Sequence, residues 1–184
     1  MDIRKLLTSG RGIGELHYDY AKRGMLDPDA QVRAVHRLRI EAPVAVVWRL
    51  LADIGGWPAW SAGISGVEVP QGVAVDQPFR WRNHGHRIDS RIAVVLPERE
   101  LSWSGVCGGF LARAVHRQLL EADGDGTSVT AEECMSGPLL PLYFDAGKLR
   151  AGLVDWMSEL RLAAEGAAPA ARPVPVTRAA QDQL

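Results

Sequence analysis

The sequence predicts an α+β fold: an antiparallel sheet of about seven strands closed by one long amphipathic helix near the C-terminus. Three observations carry this. Between residues 142 and 165, Leu142, Leu149, Leu153, Trp156, Leu160 and Ala163 recur at helical spacing and form one apolar stripe. Between residues 32 and 137 the chain instead breaks into short alternating segments divided by turn residues, as strands joined by hairpins do. A stripe of that length has to be covered, and the upstream strands are what can cover it.

Composition narrows the function classes. The chain has 184 residues, a net charge of −1, 47% hydrophobic and 23% charged residues, which suits one domain with a real core. Near-neutral charge without a basic cluster argues against a nucleic-acid footprint. No apolar run approaches the roughly 20 residues that cross a bilayer. The opening MDIRKLLTSGRG lacks the apolar centre of a signal peptide. Two cysteines, Cys107 and Cys134, make no disulfide framework. The expectation is a soluble, cytoplasmic protein without membrane insertion, and a homodimer stays open.

Residues 1–31 read as an N-terminal extension, partly helical or flexible, with Ile3, Leu6 and Leu7 and then Glu15 to Arg23 as helical candidates. Gly10, Gly12 and Gly14 do not follow a strand and miss the dinucleotide spacing, so they read as a flexible turn. Asp27-Pro28-Asp29 turns the chain into the main domain, residues 32–165. From Val32 to Glu41, Ala34, His36, Leu38 and Ile40 share one face and charged residues the other, a half-buried strand. Pro43 then opens a short helix to about Ala52, with Trp48 assigned to the core. Gly55-Gly56 ends it, and Trp57-Pro58-Ala59-Trp60 reads as an irregular segment over the open end of the sheet. Strands follow at Ile64–Val69, Phe79–Arg82, Arg87–Val95, Leu101–Gly105, Arg113–Glu121 and Thr127–Met135. Two tight turns, Asn83-His84-Gly85-His86 and Asp123-Gly124-Asp125-Gly126, join four of them as hairpins. Residues 166–184, rich in Ala and Pro without periodicity, read as a disordered tail.

The run from Ile40 to Trp60, IEAPVAVVWRLLADIGGWPAW, resembles the opening of START-like (SRPBCC) domains, and more narrowly their bacterial polyketide cyclase/dehydrase branch. FRWR (Phe79–Arg82), IDSRI (Ile88–Ile92), LPERELSWSG (Leu96–Gly105) and GTSVTAEE (Gly126–Glu133) follow in the family's order. The resemblance spans about residues 32–165; the N-terminal extension lies outside its pattern. It implies a helix-grip fold, in which a strongly bent sheet wraps around the long C-terminal helix, with short helices after the first strand. It also implies an apolar ligand between sheet and helix. Some members cyclise or dehydrate polyketide chains in secondary metabolism, and others carry lipids, quinones or similar metabolites, so the fold alone does not name the reaction.

Within such a sheet, residues two apart share a face. The turn at Gly124 places Leu120 opposite Val129, Gln118 opposite Ala131 and His116 opposite Glu133, with Met135 on the same face. Directly opposed side chains lie about 5 Å apart at Cβ. A carboxylate beside an imidazole suits a general base for enolisation or dehydration, or else forms a satisfied structural pair. His36 is a cavity candidate or a hydrogen-bonded core residue. On the neighbouring hairpin Trp81 faces Ile88 and Phe79 faces Ser90, which with Trp60 and Trp103 would give an aromatic, hydroxyl-bearing wall. Asp145 falls on the helix stripe beside Tyr143, and is either an inward acid or a helix cap. His84, His86, Cys107 and His116 have no spacing that enforces a metal site, and Cys107 is expected in an accessible loop.

The sequence therefore predicts an acid/base and template enzyme of the cyclase/dehydratase type, acting without cofactor or metal on a hydrophobic polyketide-like substrate. His116, Glu133, His36 and Asp145 are its catalytic candidates. Trp60, Phe79, Trp81, Ser90, Trp103, Gln118, Met135 and Tyr143 are its ligand-binding candidates. The alternative is a carrier of the same fold whose inward polar groups only anchor an apolar metabolite.

Overall fold

In the computed structural model, which describes residues 10–70, 72–109 and 111–168, seven antiparallel strands form one sheet. They are β1 (Val32–Ile40), β2 (Ile64–Glu68), β3 (Pro78–Asn83), β4 (His86–Leu96), β5 (Glu100–Cys107), β6 (Ala112–Asp123) and β7 (Gly126–Ser136). Their order, β1-β7-β6-β5-β4-β3-β2, is a meander from β2 to β7 with β1 folded back onto β7. Helix α1 (Val44–Ala52) and a 3-10 turn (Ile54–Ala59) fill the crossover from β1 to β2, and α2 (Leu140–Tyr143) leads into the long α3 (Ala146–Ala167). Each tight turn is bought by its residues: His84 and Gly85 both take positive φ between β3 and β4, as the right-handed twist of a two-residue hairpin requires.

The expected registers are present. Leu120 pairs with Val129, Gln118 with Ala131, and His116 with Glu133; Trp81 pairs with Ile88 and Phe79 with Ser90. The closing helix differs in its start. It begins after Asp145 rather than at Leu142, because Phe144 and Asp145 are extended and the Asp145 carboxylate accepts from the Lys148 amide at 2.9 Å. Leu142 is consequently exposed, and the covered stripe is Leu149, Leu153, Met157, Leu160 and Ala164, with Ala163 half-buried. The principal core lies between this stripe, α1 and the concave face of the sheet. Trp57, not Trp48, is the tryptophan fully inside it: Trp57 is sealed, its indole N–H donating to the Leu51 carbonyl at 3.0 Å, while Trp48 is only half-buried.

The N-terminal segment is a hook over the convex face. Residues 13–23 form consecutive short helical turns, ended by Gly24 at positive φ. Leu16 and Ala21 pack on Ala93, Val115 and Cys134, a second small core on the outer side of β4, β6 and β7. Gly10 passes so close to Ser136 that an added Cβ would lie 2.3 Å from that side chain, and only glycine fits there. The buried ring of His17 fastens the hook: its Nδ1 lies 2.9 Å from Ser104 Oγ and its Nε2 2.8 Å from Asp76 Oδ1. Lys22 donates to the other Asp76 oxygen at 2.7 Å. The helical candidates Ile3, Leu6 and Leu7 and the tail beyond residue 168 lie outside the described residues.

Lys22 first, and His17 second, hold the Asp76 carboxyl below the usual carboxylate range. A depressed folded-state value stabilises above the unfolded value and is lost as pH falls through the folded one. Hydrogen exchange at residues 13–23 is therefore expected to be slow at neutral pH and to accelerate, relative to the rest of the chain, under acid below that range. Asp76→Asn should give the fast pattern at neutral pH. His17→Ala, which strands the Ser104 hydroxyl beneath the hook, should cost about 1–3 kcal/mol in urea unfolding. Unchanged exchange in Asp76→Asn together with unchanged stability in His17→Ala would refute the fastening.

Candidate functional site

The bent sheet and α3 do not meet along their whole length, and a cavity of about 340 Å³ remains between them. Its sheet wall comes from concave residues two apart on successive strands: Trp81 on β3, Ile88 and Ser90 on β4, Trp103 and Gly105 on β5, Ala112, Ala114 and His116 on β6, and Glu133 and Met135 on β7. Its helix wall is Leu149, Gly152, Leu153 and Trp156, one face of α3. Trp57 forms the plug below, with ring centroids 5.5 Å from Trp81, 5.5 Å from Trp103 and 5.1 Å from Trp156. The lining is mainly apolar, with a few convergent polar groups.

The centre of the polar set is His116. Its ring stacks on Trp103, centroids 4.3 Å apart and planes at 17°. The cause is register, since Trp103 and His116 are directly paired across β5 and β6. Nδ1 lies 3.0 Å from Glu133 Oε2, and Nε2 lies 3.1 Å from Gln118 Nε2. A carboxylate only accepts, so Nδ1 carries a proton; with the Gln118 amide nitrogen turned to the ring, Nε2 accepts from it. Turned by half a rotation, the same amide would present Oε1, which is buried without a partner, and would accept from a protonated ring. Both ring nitrogens are thus committed inside the protein. The Glu133 carboxylate is different: Oε2 accepts a hydrogen bond from the imidazole Nδ1–H, while Oε1 has no hydrogen bond from a described residue and belongs to a cavity-lining side chain.

Two further groups face the same space. Ser90 Oγ accepts from the Trp81 indole N–H at 3.1 Å, which leaves its own hydroxyl proton free to donate. Its room exists because residue 105 is glycine; a Cβ there would lie 2.8 Å from Ser90 Oγ. Cys107 ends β5 and lines the cavity rather than sitting in a loop. Burial first, and the nearby Glu133 charge second, push its thiol above the ordinary value, so it is a poor nucleophile.

The structure brings together His116, Glu133, Trp81, Ser90, Trp103 and Met135 of the expected set. The others are elsewhere. Asp145 is an exposed helix cap, because the helix starts at that residue. Tyr143 is exposed on α2, its hydroxyl donating to the Leu111 carbonyl at 3.1 Å; Phe144 and Lys148 line the cavity in its place. His36 is half-buried on β1 opposite Ala131, one strand beyond the lining. Phe79 is core, packed edge-on to Trp57. Trp60 packs on Trp156 behind the wall, centroids 4.8 Å apart. Gln118 is fully buried and reaches the site only through His116. Asn83, His84 and His86, on the β3–β4 turn, form the rim together with Lys148. Among the described residues no group of three or more His, Cys, Asp or Glu side chains is gathered to hold a metal ion.

A groove of about 390 Å³ on the opposite face is bordered by His17, Tyr18, Arg91 and Ser104. Although Ser104, His17 and Asp76 are hydrogen-bonded in a row, Ser104 lies within β5, whose amides are spent on the ladders to β4 and β6. Such a serine has no backbone donors to receive an oxyanion. The row is a fastening.

Solved structures share this architecture. A hypothetical protein from Helicobacter pylori aligns with a TM-score of 0.66 at 14% identity, covering 74% of this chain and 90% of its own. DynU16, from the dynemicin biosynthetic locus, aligns at 0.57 and 20% identity over 71% of this chain and 46% of its own. CalU16 from Micromonospora echinospora aligns at 0.54 and 21% identity over 70% of this chain and 73% of its own. These likenesses establish the fold. No curated protein matches the sequence. The family described as "Polyketide cyclase / dehydrase and lipid transport" matches residues 31–171, and the chain belongs to that family.

Proposed function

We propose that the cavity binds an aromatic-bodied, enolisable carbonyl compound and that Glu133 is its general base. The observation that carries this is the Glu133 carboxylate, held by His116 through one oxygen while the other is left to the apolar cavity. A base needs a free lone pair within reach of the substrate, and His116 has none while both its nitrogens are bonded. His116 is therefore the positioning residue, locked by Trp103 and Gln118, and the roles expected from the sequence are exchanged. Glu133 takes the proton from a carbon next to a carbonyl, and the electron pair moves into the enolate. The Ser90 hydroxyl donates to the enolate oxygen as it forms. In a chain folded between Trp81, Trp103 and Trp156, the enolate carbon attacks a second carbonyl; the alkoxide recovers the proton from Glu133, and loss of water completes a dehydration. Confinement of the flexible chain supplies part of the acceleration.

The mainly apolar lining supports a second reading, a carrier that holds the same class of ligand without turnover. 2-Tetralone, a flat bicyclic ketone, separates them. The protein should accelerate deuterium exchange at its α carbon, followed by NMR, and Glu133→Gln should reduce that acceleration about 10²–10³-fold while binding persists. His116→Phe, which keeps a ring on Trp103, should lose about tenfold. Binding without accelerated exchange in the wild type would replace the enzyme with the carrier.

Space in the cavity can be tested separately. Gly152 lines it, and an added Cβ there would meet nothing within 4 Å. Gly152→Leu is expected to raise the melting temperature, since glycine within a helix costs about 0.8–1 kcal/mol, and to weaken 2-tetralone binding at least tenfold in calorimetry. Binding at wild-type strength would show that the ligand lies elsewhere.

A further inference from the structure

We propose that the natural ligand carries a carboxylate, which stays at the cavity mouth on Lys148, Asn83, His84 and His86 while its aromatic body enters between the tryptophans. The inference rests on the cavity being the ligand site and adds the ligand's polar end and its orientation.

The polar lining residues separate by depth. Ser90, His116 and Glu133 are buried or half-buried within the sheet wall, whereas Asn83, His84, His86 and Lys148 are exposed. The exposed four stand on two elements, the β3–β4 turn on one side and the first turn of α3 on the other. Each can present an N–H donor: an amide, two imidazoles and an ammonium. Glu133 is the acid among the lining residues, and it faces inward with His116.

Charge then decides orientation. A carboxylate pushed to the bottom of the cavity would meet the Glu133 carboxylate where little water screens them. At the mouth the same carboxylate meets Lys148, whose ammonium donates to a neutral partner, the Tyr143 carbonyl at 2.9 Å. No carboxylate of a described residue lies within ion-pair distance of it. The acid on the same helical turn, Asp145, is committed to the Lys148 backbone amide as the helix cap. Carboxylate bonds from an ammonium and from imidazole or amide N–H groups are charge-assisted, and the stronger for it. A ligand so held would place its far, carbonyl-bearing end toward Glu133 and Ser90.

The test compares 2-naphthoate with 2-naphthamide, equal in shape and different in charge, by calorimetry at pH 7.5 and low salt on the wild type and on Lys148→Met. The wild type should bind naphthoate about five- to tenfold more tightly. Lys148→Met should remove most of that preference by weakening naphthoate far more than naphthamide. Equal affinities in the wild type, or a preference undiminished in Lys148→Met, would overturn the carboxylate assignment and leave the cavity reading standing. Failure of both compounds to bind at millimolar concentration would overturn the two together.

Discussion

Trp57 fixes how far apart the sheet and the closing helix stand. Its ring is sealed, its indole proton is spent on the Leu51 carbonyl, and it meets Trp81, Trp103, Phe79 and Trp156 within about 6 Å of their centroids, as offset or edge-on aromatic contacts allow. A group of this width cannot be flattened, so α3 rests on it near its middle, at Trp156. Beyond it, the facing residues include Gly105, Ala112, Ala114 and Gly152, which have too little bulk to close the gap. The cavity is the space left between a wide plug and small walls. Its tryptophan lining consists of the inner edges of that cluster.

The same register that builds the cavity also builds its chemistry. Because β5, β6 and β7 pair without a bulge, Trp103, His116 and Glu133 come side by side on one face. Stacking, one carboxylate and one amide then consume three sides of the imidazole. A histidine fixed this way is a poor proton acceptor toward a ligand and a good clamp for the carboxylate beside it. The distinction between the two residues comes from counting lone pairs and protons.

That division marks what the sequence could reveal. Strand register was legible because a two-residue turn and a period of two leave little freedom: the His116–Glu133 pairing followed from the turn at Asp123-Gly124-Asp125-Gly126. Trp81, Ser90 and Trp103 were legible by the same alternation. The helix start was not, since Leu142 fits the stripe by spacing and only the backbone at Phe144 and Asp145 shows that the helix begins later. Asp145 therefore changed from candidate acid to cap, and Lys148 took the place at the mouth. Phe79 and Gln118 have the right face yet stand where the sheet touches other groups, and alternation cannot tell cavity from core along one face. Gln118's commitment to His116 is a diagonal contact within one strand, which pairing rules do not signal.

The hook gives the outer face its own reason to be ordered. On β5, Ser104 points out to His17 while Trp103 points in to the cavity; on β6, Val115 points out to the hook while His116 points in. On β7, Cys134 is covered outside, its thiol pushed up to about 11 chiefly by burial, while Glu133 lines the inside. Each of these three strands is thus packed on both faces. A sheet open to water on one side can flex without losing contacts, whereas one covered on both sides must break a contact to move. The N-terminal segment lies on the face of the sheet away from the cavity, yet it backs β6 and β7, whose register sets the distance from His116 to Glu133, and β5, which carries Trp103. For the base proposed above, which would have to meet a carbon-bound proton in a fixed geometry, that stiffness would hold the free oxygen in place.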